Sequence, residues 1–189
     1  MLDFLVANGV LIIQIILALS ILTFFSAYLS VLWGAPWVPV SFIAARKMLK
    51  MAELKSGQKL VDLGAGDGRI VILAAWLYKA EAVGVEIDPV RCFIANMLIF
   101  LLGLRQRAHV YHGDIFTFDF SDADVVTLYL LQGTNQKLKK DLATKLKPGT
   151  KVISRSFSFT GWLPVKLDDR TGIFMYEIGN IVDADTKFV

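Results

Sequence analysis

The stretch VDLGAGDGRIV, residues 61–71, sets Gly64, Gly66 and Gly68 between an apolar run and an Arg-Ile-Val that opens a helix. A strand, a glycine-rich bend and a helix in that order form the ligand loop at the carboxyl end of the first strand of a parallel α/β sheet. The dinucleotide fingerprint G-x-G-x-x-G would need glycine at 69, where Arg69 stands, and no Gly-Lys-Ser/Thr follows to make a P-loop. Asp62 precedes the bend and Asp67 lies inside it. Two carboxylates oppose a pyrophosphate, which needs bare N–H groups and a helix dipole with no anion beside it.

The same pair suits a ligand that is cationic at that end. S-adenosylmethionine presents an ammonium and a sulfonium against one carboxylate, which makes it the candidate cofactor. The bare backbone of Gly64, Ala65 and Gly66 would let its methionine part approach, with Asp62 accepting from the ammonium directly or through water. Glu86-Ile87 ends a second apolar run 18 residues past Gly68, where an acid meets ribose hydroxyls in nucleotide folds. Asp114-Ile115 ends a third, placing a carboxylate for the adenine amino group and an apolar side chain for the ring. Each acid also has a structural reading: Asp62, Asp67 and Asp114 as turn residues, Glu86 as a solvated strand end. Asp88 is read as the cap of the helix that Pro89 opens.

Outward from the loop, strands and helices alternate. KLVDLG, AVGVEID, HVYHGD, ADVVTLYLL and KVISRSF read as strands. RIVILAAWLYK, PVRCFIANMLIFLLGL and NQKLKKDLATKL read as helices, and WLPVKL with IFMYEIG as a closing hairpin over DDRTG. Before the first strand, Ser41 caps the helix FIAARKMLKMAEL. The alternation predicts a Rossmann-like α/β three-layer sandwich with a mostly parallel sheet and a C-terminal antiparallel hairpin. MLIFLLGL, residues 97–104, is apolar nearly all round; it reads either as a deeply buried helix or as a face that leans on a membrane or on the anchor.

Hydrophobic residues make up 55% of the 189, and no charge falls between Phe4 and Ala45. Residues 10–33 are long and apolar enough to span a bilayer, with Trp33 and Trp37 at the end and Arg46, Lys47 and Lys50 close behind. The expected organisation is a transmembrane anchor over 1–33, a linker and pre-domain helix over 34–57, and the catalytic domain over 58–189. The positive-inside bias puts that domain on the cytoplasmic side. The start Met-Leu-Asp lacks the Arg and Ser of a transit peptide, which points to a prokaryotic plasma membrane. All 20 basic residues follow the anchor, against 16 acidic ones once Asp3 is left out of the 17. That modest surplus suits a domain held near anionic lipid, and with no dense basic run no nucleic-acid partner is expected. One cysteine, Cys92, excludes an internal disulfide, and His109 and His112 lack partners for a metal site.

The order VDLGAGDGRI, VGVEID, GDIF, VVTLYLL and LKPGTKVIS resembles the class I, seven-strand methyltransferases. PWVPVSF, TLYLLQGTNQKL and LKPGTKVISRSFSFTGWLP resemble more narrowly the archaeal and mitochondrial protein-lysine methyltransferase branch, over about residues 35–179. The resemblance implies that Asp62, Gly64, Gly66, Glu86 and Asp114 line the cofactor site and that WVPVS folds over it. It further implies that LYLLQGTN forms the target-amine channel, with Tyr129 and Asn135 near it as the catalytic candidates; SRSF, with Arg155 and Ser156, departs from the pattern. The expected activity is methyl transfer to lysine side chains of membrane or membrane-proximal proteins. A lipid or quinone-like acceptor and a non-enzymatic scaffold are the competing readings, and no oligomeric state follows from the sequence. No dedicated base stands out, so the amine is expected to lose its proton to water before docking.

Overall fold

The computed structural model describes residues 38–183 and, ahead of them, residues 9–14, 16–18, 20 and 21. The chain divides into two compact units after residue 38. In the first, the described residues are helical, and Val10, Leu11, Ile12, Ile13, Ile16, Leu17 and Ile21 are all exposed. Among the described residues no helix is long and apolar enough to cross a membrane, and residues 15, 19 and 22–33 of the expected span lie outside them.

The second unit opens with α1 (Phe42–Met51), which starts where Ser41 Oγ accepts a hydrogen bond from the Ala44 N–H at 3.2 Å. Strand β1 (Lys59–Leu63) leads through the glycine turn into α2 (Arg69–Tyr78), and β2 (Glu81–Glu86) into α3 (Pro89–Leu101). Asp88 caps α3 by accepting from the N–H groups of Val90 and Arg91, and Pro89 costs the first turn no hydrogen bond. Then come β3 (Ala108–His112), β4 (Val125–Leu128), α4 (Gln132–Lys145), β5 (Lys151–Arg155), β6 (Trp162–Leu163), β7 (Lys166–Asp168), β8 (Ile173–Glu177) and β9 (Val182–Asp183).

The main sheet has seven strands in the order β3-β2-β1-β4-β5-β8-β7, parallel from β3 to β5 and antiparallel at β8 and β7. This is the expected Rossmann-like sandwich with its closing hairpin. One core packs Ala45, Met48 and Leu49 of α1 with α2, Cys92, Ala95 and Ile99 of α3 and the sheet. The other gathers Leu138 and Leu142 of α4 with Phe120, Phe159, Trp162 and Tyr176.

Three expectations change. The fourth strand ends at Leu128, so Tyr129 to Leu131 leave the sheet and turn into α4. WLPVKL breaks at Pro164 into two strands; β6 pairs with β9 in a separate two-stranded sheet, and only β7 forms the hairpin with β8. The reading of MLIFLLGL as a deeply buried helix fails: Met97, Leu98, Phe100, Leu101 and Leu102 are exposed, because α3 offers the core only its other side.

Candidate active site

The carboxyl ends of β1, β2 and β4 converge on the glycine turn. In register, Asp62 of β1 lies between Gly84 of β2 and Thr127 of β4. Asp62 is buried, and its Oδ1 accepts the Thr127 hydroxyl at 2.7 Å. Burial pushes its carboxyl from an ordinary 3.8 up to about 7; the Thr127 hydrogen bond works against this, and the charges of Glu86 and Asp67 add to it. A buried carboxylate held at the edge of ionisation is a receptor for a cation.

Glu86 closes the far side. Its Oε2 accepts from the Gly66 N–H at 2.8 Å and its Oε1 from the Asp88 N–H at 3.0 Å. The Arg91 guanidinium lies 3.9 Å from Glu86 and 3.7 Å from Asp88. The carboxylate is thus fixed in orientation, and each oxygen keeps a further lone pair for a ligand hydroxyl.

The turn is as bare as the sequence suggests. Gly64 has φ +83°, and a Cβ there would lie 2.7 Å from Leu130 Cδ2. Gly68 has φ +76° and would place a Cβ 2.9 Å from that of Ala95 on α3. The N–H groups of Gly64 and Ala65 both donate to the Val85 carbonyl at 2.9 Å, pinning the turn to β2.

Asp67 is taken up by a neighbour. Arg69 Nε donates to its two oxygens at 2.9 and 3.1 Å, and the Arg69 fork closes an ion pair with it. The same guanidinium donates to the Val40 carbonyl and lies 5.1 Å from the Phe42 ring centroid. Arg69 therefore ties the turn to the VSF end of PWVPVSF, whose residues 36 and 37 lie outside the described ones.

Asp114 is exposed at the end of β3; its Oδ1 caps the loop by accepting from the Phe116 N–H at 2.9 Å, and Oδ2 has no partner among the described residues. Ile115 packs against the second core, whereas Ile87 is exposed. His112 Nε2 sits 3.0 Å from the Ile87 carbonyl oxygen, and His109 stacks edge-on against Tyr111, both away from Asp62's strand.

Past β4, the half-buried Tyr129 lies under Arg155, whose Cζ is 5.1 Å from the ring centroid. Arg155 Nε and Nη1 are buried with no hydrogen-bond partner among the described residues. Asn135 is fully buried in the first turn of α4, donating to Ser154 Oγ at 3.0 Å and the Phe157 carbonyl at 3.1 Å. Gln136 donates to the Ser158 carbonyl at 3.3 Å and accepts from the Thr160 N–H at 3.2 Å, and Lys139 donates to the Thr160 carbonyl at 2.6 Å. The start of α4 and the SRSFSFT segment are one clamped unit.

The profile of the ANTKMT methyltransferase domain matches residues 62–166. A protein-lysine N-methyltransferase of Saccharolobus islandicus is 40% identical over 76% of this chain and 94% of that protein. The chain belongs to the ANTKMT methyltransferase family. An adenine nucleotide translocase lysine N-methyltransferase of Mus musculus is 30% identical over 68% of this methyltransferase, which spans 57% of that protein's length. A Salinibacter ruber structure described as an RNA methyltransferase in complex with S-adenosyl-L-homocysteine superposes with a TM-score of 0.75 at 38% identity, covering 78% of this chain and 98% of that one.

S-adenosylmethionine is the cofactor, and the site fits it. Asp62 lies two residues before Gly64, whose φ of +83° strains any L side chain, and Glu86 on the neighbouring strand accepts from the Gly66 N–H. Sequence reading missed Thr127 as the partner of Asp62 and Arg69 as the tie to Val40. Thr127 is 65 residues from Asp62, and only the β1–β4 register brings them together.

Proposed function

We propose that this methyltransferase is anchored to a membrane by its N-terminal segment and transfers methyl groups to lysine side chains of membrane or membrane-proximal proteins. The catalytic unit stands on the cytoplasmic side, with residues 1–33 as the anchor and 34–57 leading into the domain. The observation that carries the acceptor is the 40% identity to a protein-lysine methyltransferase over 94% of its length. The anchor rests on the uncharged run from Phe4 to Ala45 and on the exposed apolar side chains of its described helical residues.

When bound, S-adenosylmethionine supplies a methyl group on a sulfonium, a leaving group that departs as a neutral thioether. The chain's own residues position the reactants. Asp62 would take the ammonium, Glu86 the ribose hydroxyls and Asp114 the adenine amine, with Ala65 and Gly66 along the methionine part and Ile87 and Ile115 for the ring. Asp67 acts through Arg69 to hold the turn. The acceptor must arrive as a neutral amine, because only a free lone pair attacks in line. A lysine begins near pKa ~10.4. The Arg155 guanidinium beside Tyr129 disfavours a second cation at the mouth and so favours the neutral amine. Asn135 acts as a positioning residue that keeps Ser154 and the following turn in place beside Arg155.

An RNA acceptor is the second reading, favoured by the description of the Salinibacter relative; a lipid or quinone-like acceptor is favoured by the apolar N-terminus. The test is incubation of the full chain with methyl-labelled S-adenosylmethionine and a membrane-plus-cytosol extract, with Asp62→Ala as control. Label in protein, lost in the variant, supports the proposal. Label confined to RNA or to lipid replaces it with the matching alternative.

A further inference from the structure

Helices α1, α2 and α3 share one core on one face of the sheet, and none of them contains an aspartate or glutamate. Their outward side chains are apolar or basic. On α3, Phe93, Met97, Phe100 and Leu101 recur at helical spacing and are 68, 43, 59 and 68% exposed. Such a stripe ordinarily faces a core, but Cys92, Ala95 and Ile99 on the other side of the helix already fill it. Trp76 and Leu77 at the end of α2 and Phe42 and Ile43 at the start of α1 are exposed as well. An exposed apolar stripe of this size on α3, with further exposed apolar side chains on the two helices of the same core, marks an interaction site.

Cations stand at the end of the stripe. Arg105 lies over the Phe100 ring, 5.4 Å from its centroid. A cleft of about 260 Å³ is lined by Trp76, Lys79, Gln106 and Arg107 and by no acid. Arg46 and Lys50 are exposed on α1. The acids nearest the stripe and the cleft along the chain are Asp88, buried as the cap of α3, and Glu81, exposed at the start of β2, where Lys79, Arg105 and Arg107 outnumber it.

We infer that this face is a docking surface for an anionic lipid bilayer: the α3 stripe enters the acyl boundary while Lys79, Arg105 and Arg107 meet lipid phosphates. Apolar insertion beside clustered cations is how interfacial helices bind charged membranes. Charge argues against a second copy, since a two-fold contact through a face with a surplus of cations would set cations against cations. The uncharged N-terminal run also continues directly into α1 along the chain. The inference goes beyond the proposed anchor, since it concerns the catalytic unit's own surface, and it does not depend on which acceptor is methylated.

The test places an environment-sensitive fluorophore at Met97→Cys or, as a control on α4, at Lys140→Cys. Both are made in the full chain with Cys92→Ala and reconstituted into phosphatidylcholine vesicles with and without phosphatidylglycerol. The expected result is a blue shift at 97 that brominated lipid quenches, stronger with phosphatidylglycerol and reduced by salt, with the label at 140 remaining aqueous. Lys79→Glu, Arg105→Glu and Arg107→Glu together should remove most of that shift. A chain that floats with the vesicles while position 97 stays open to an aqueous quencher overturns the docking surface and leaves the anchor standing. A chain that does not float overturns both. Burial of 97 without lipid quenching, accompanied by cross-linked dimers, overturns the bilayer in favour of a second copy.

Discussion

Asp62 carries a cost that the proposed ammonium contact would explain. Its folded carboxyl sits at about 7 against an ordinary 3.8, so between those values the folded chain holds a proton that the unfolded chain has lost. Stability therefore falls as pH rises through that window and levels off above about 7, a loss on the order of 2–4 kcal/mol. Asp62→Asn stays neutral and can still accept from Thr127. Without cofactor it is expected to be more stable than the wild type at about pH 8 by that order, and equal to it near pH 4, as denaturant titrations would read. The same variant should lose most of its affinity for S-adenosylmethionine in calorimetry. In the wild type, affinity should rise with pH to about 7 and fall again once the ligand's α-ammonium, ordinarily at about 7.7–8.0, deprotonates. Arg155 is tested by the rate profile: Arg155→Ala should move the acid limb of kcat about one pH unit upward, because the amine loses its repelling neighbour. An unchanged limb would leave Arg155 a packing role over Tyr129. At this scale the sequence shows which acids surround the turn. It does not show that Thr127 steadies one of them or that Arg69 occupies another, because those partners are set by strand register and by the chain before α1.

Element by element, the sequence is most legible where a residue type has one physical use. Ser41, Gly68 and Asp88-Pro89 mark the starts of α1, α2 and α3, and the structure places each there. It is least legible where the partner is distant in the chain: β6 and β9 pair across about twenty residues, and nothing local in Trp162-Leu163 announces it. Two contacts between elements carry the site. Arg69→Ala should free the turn from Val40 and Phe42 and weaken cofactor binding roughly tenfold, the scale of one charge-assisted hydrogen bond. Binding unchanged by that substitution would show that the turn holds its shape alone. Asn135→Ala unclasps α4 from the turn after β5 and leaves buried groups unpaired. It should cost about 2 kcal/mol in chemical denaturation and lower turnover, with cofactor affinity retained. The segments TLYLLQGTNQKL and SRSFSFT look separate in sequence; Asn135, Gln136 and Lys139 show them to be one structure.

For the whole molecule, alternation of strands and helices was enough to expect a parallel sheet with a closing hairpin. Sidedness was not, since α3 is apolar on both its faces and composition alone cannot tell the stripe that meets the core from the one that does not. The structure makes that division, with one helical face that has a surplus of cations and the glycine turn at the strand ends. The proposed function stands or falls on whether the cofactor's methyl group reaches the ε-nitrogen of lysine. To decide it, the labelled protein from the extract reaction is hydrolysed to amino acids and chromatographed against methyl-lysine standards, with wild type and Asp62→Ala in parallel. The expected outcome is label in methyl-lysine with wild type and none with the variant. Label in another amino acid, or methyl-lysine formed equally by the variant, would contradict the proposed transfer.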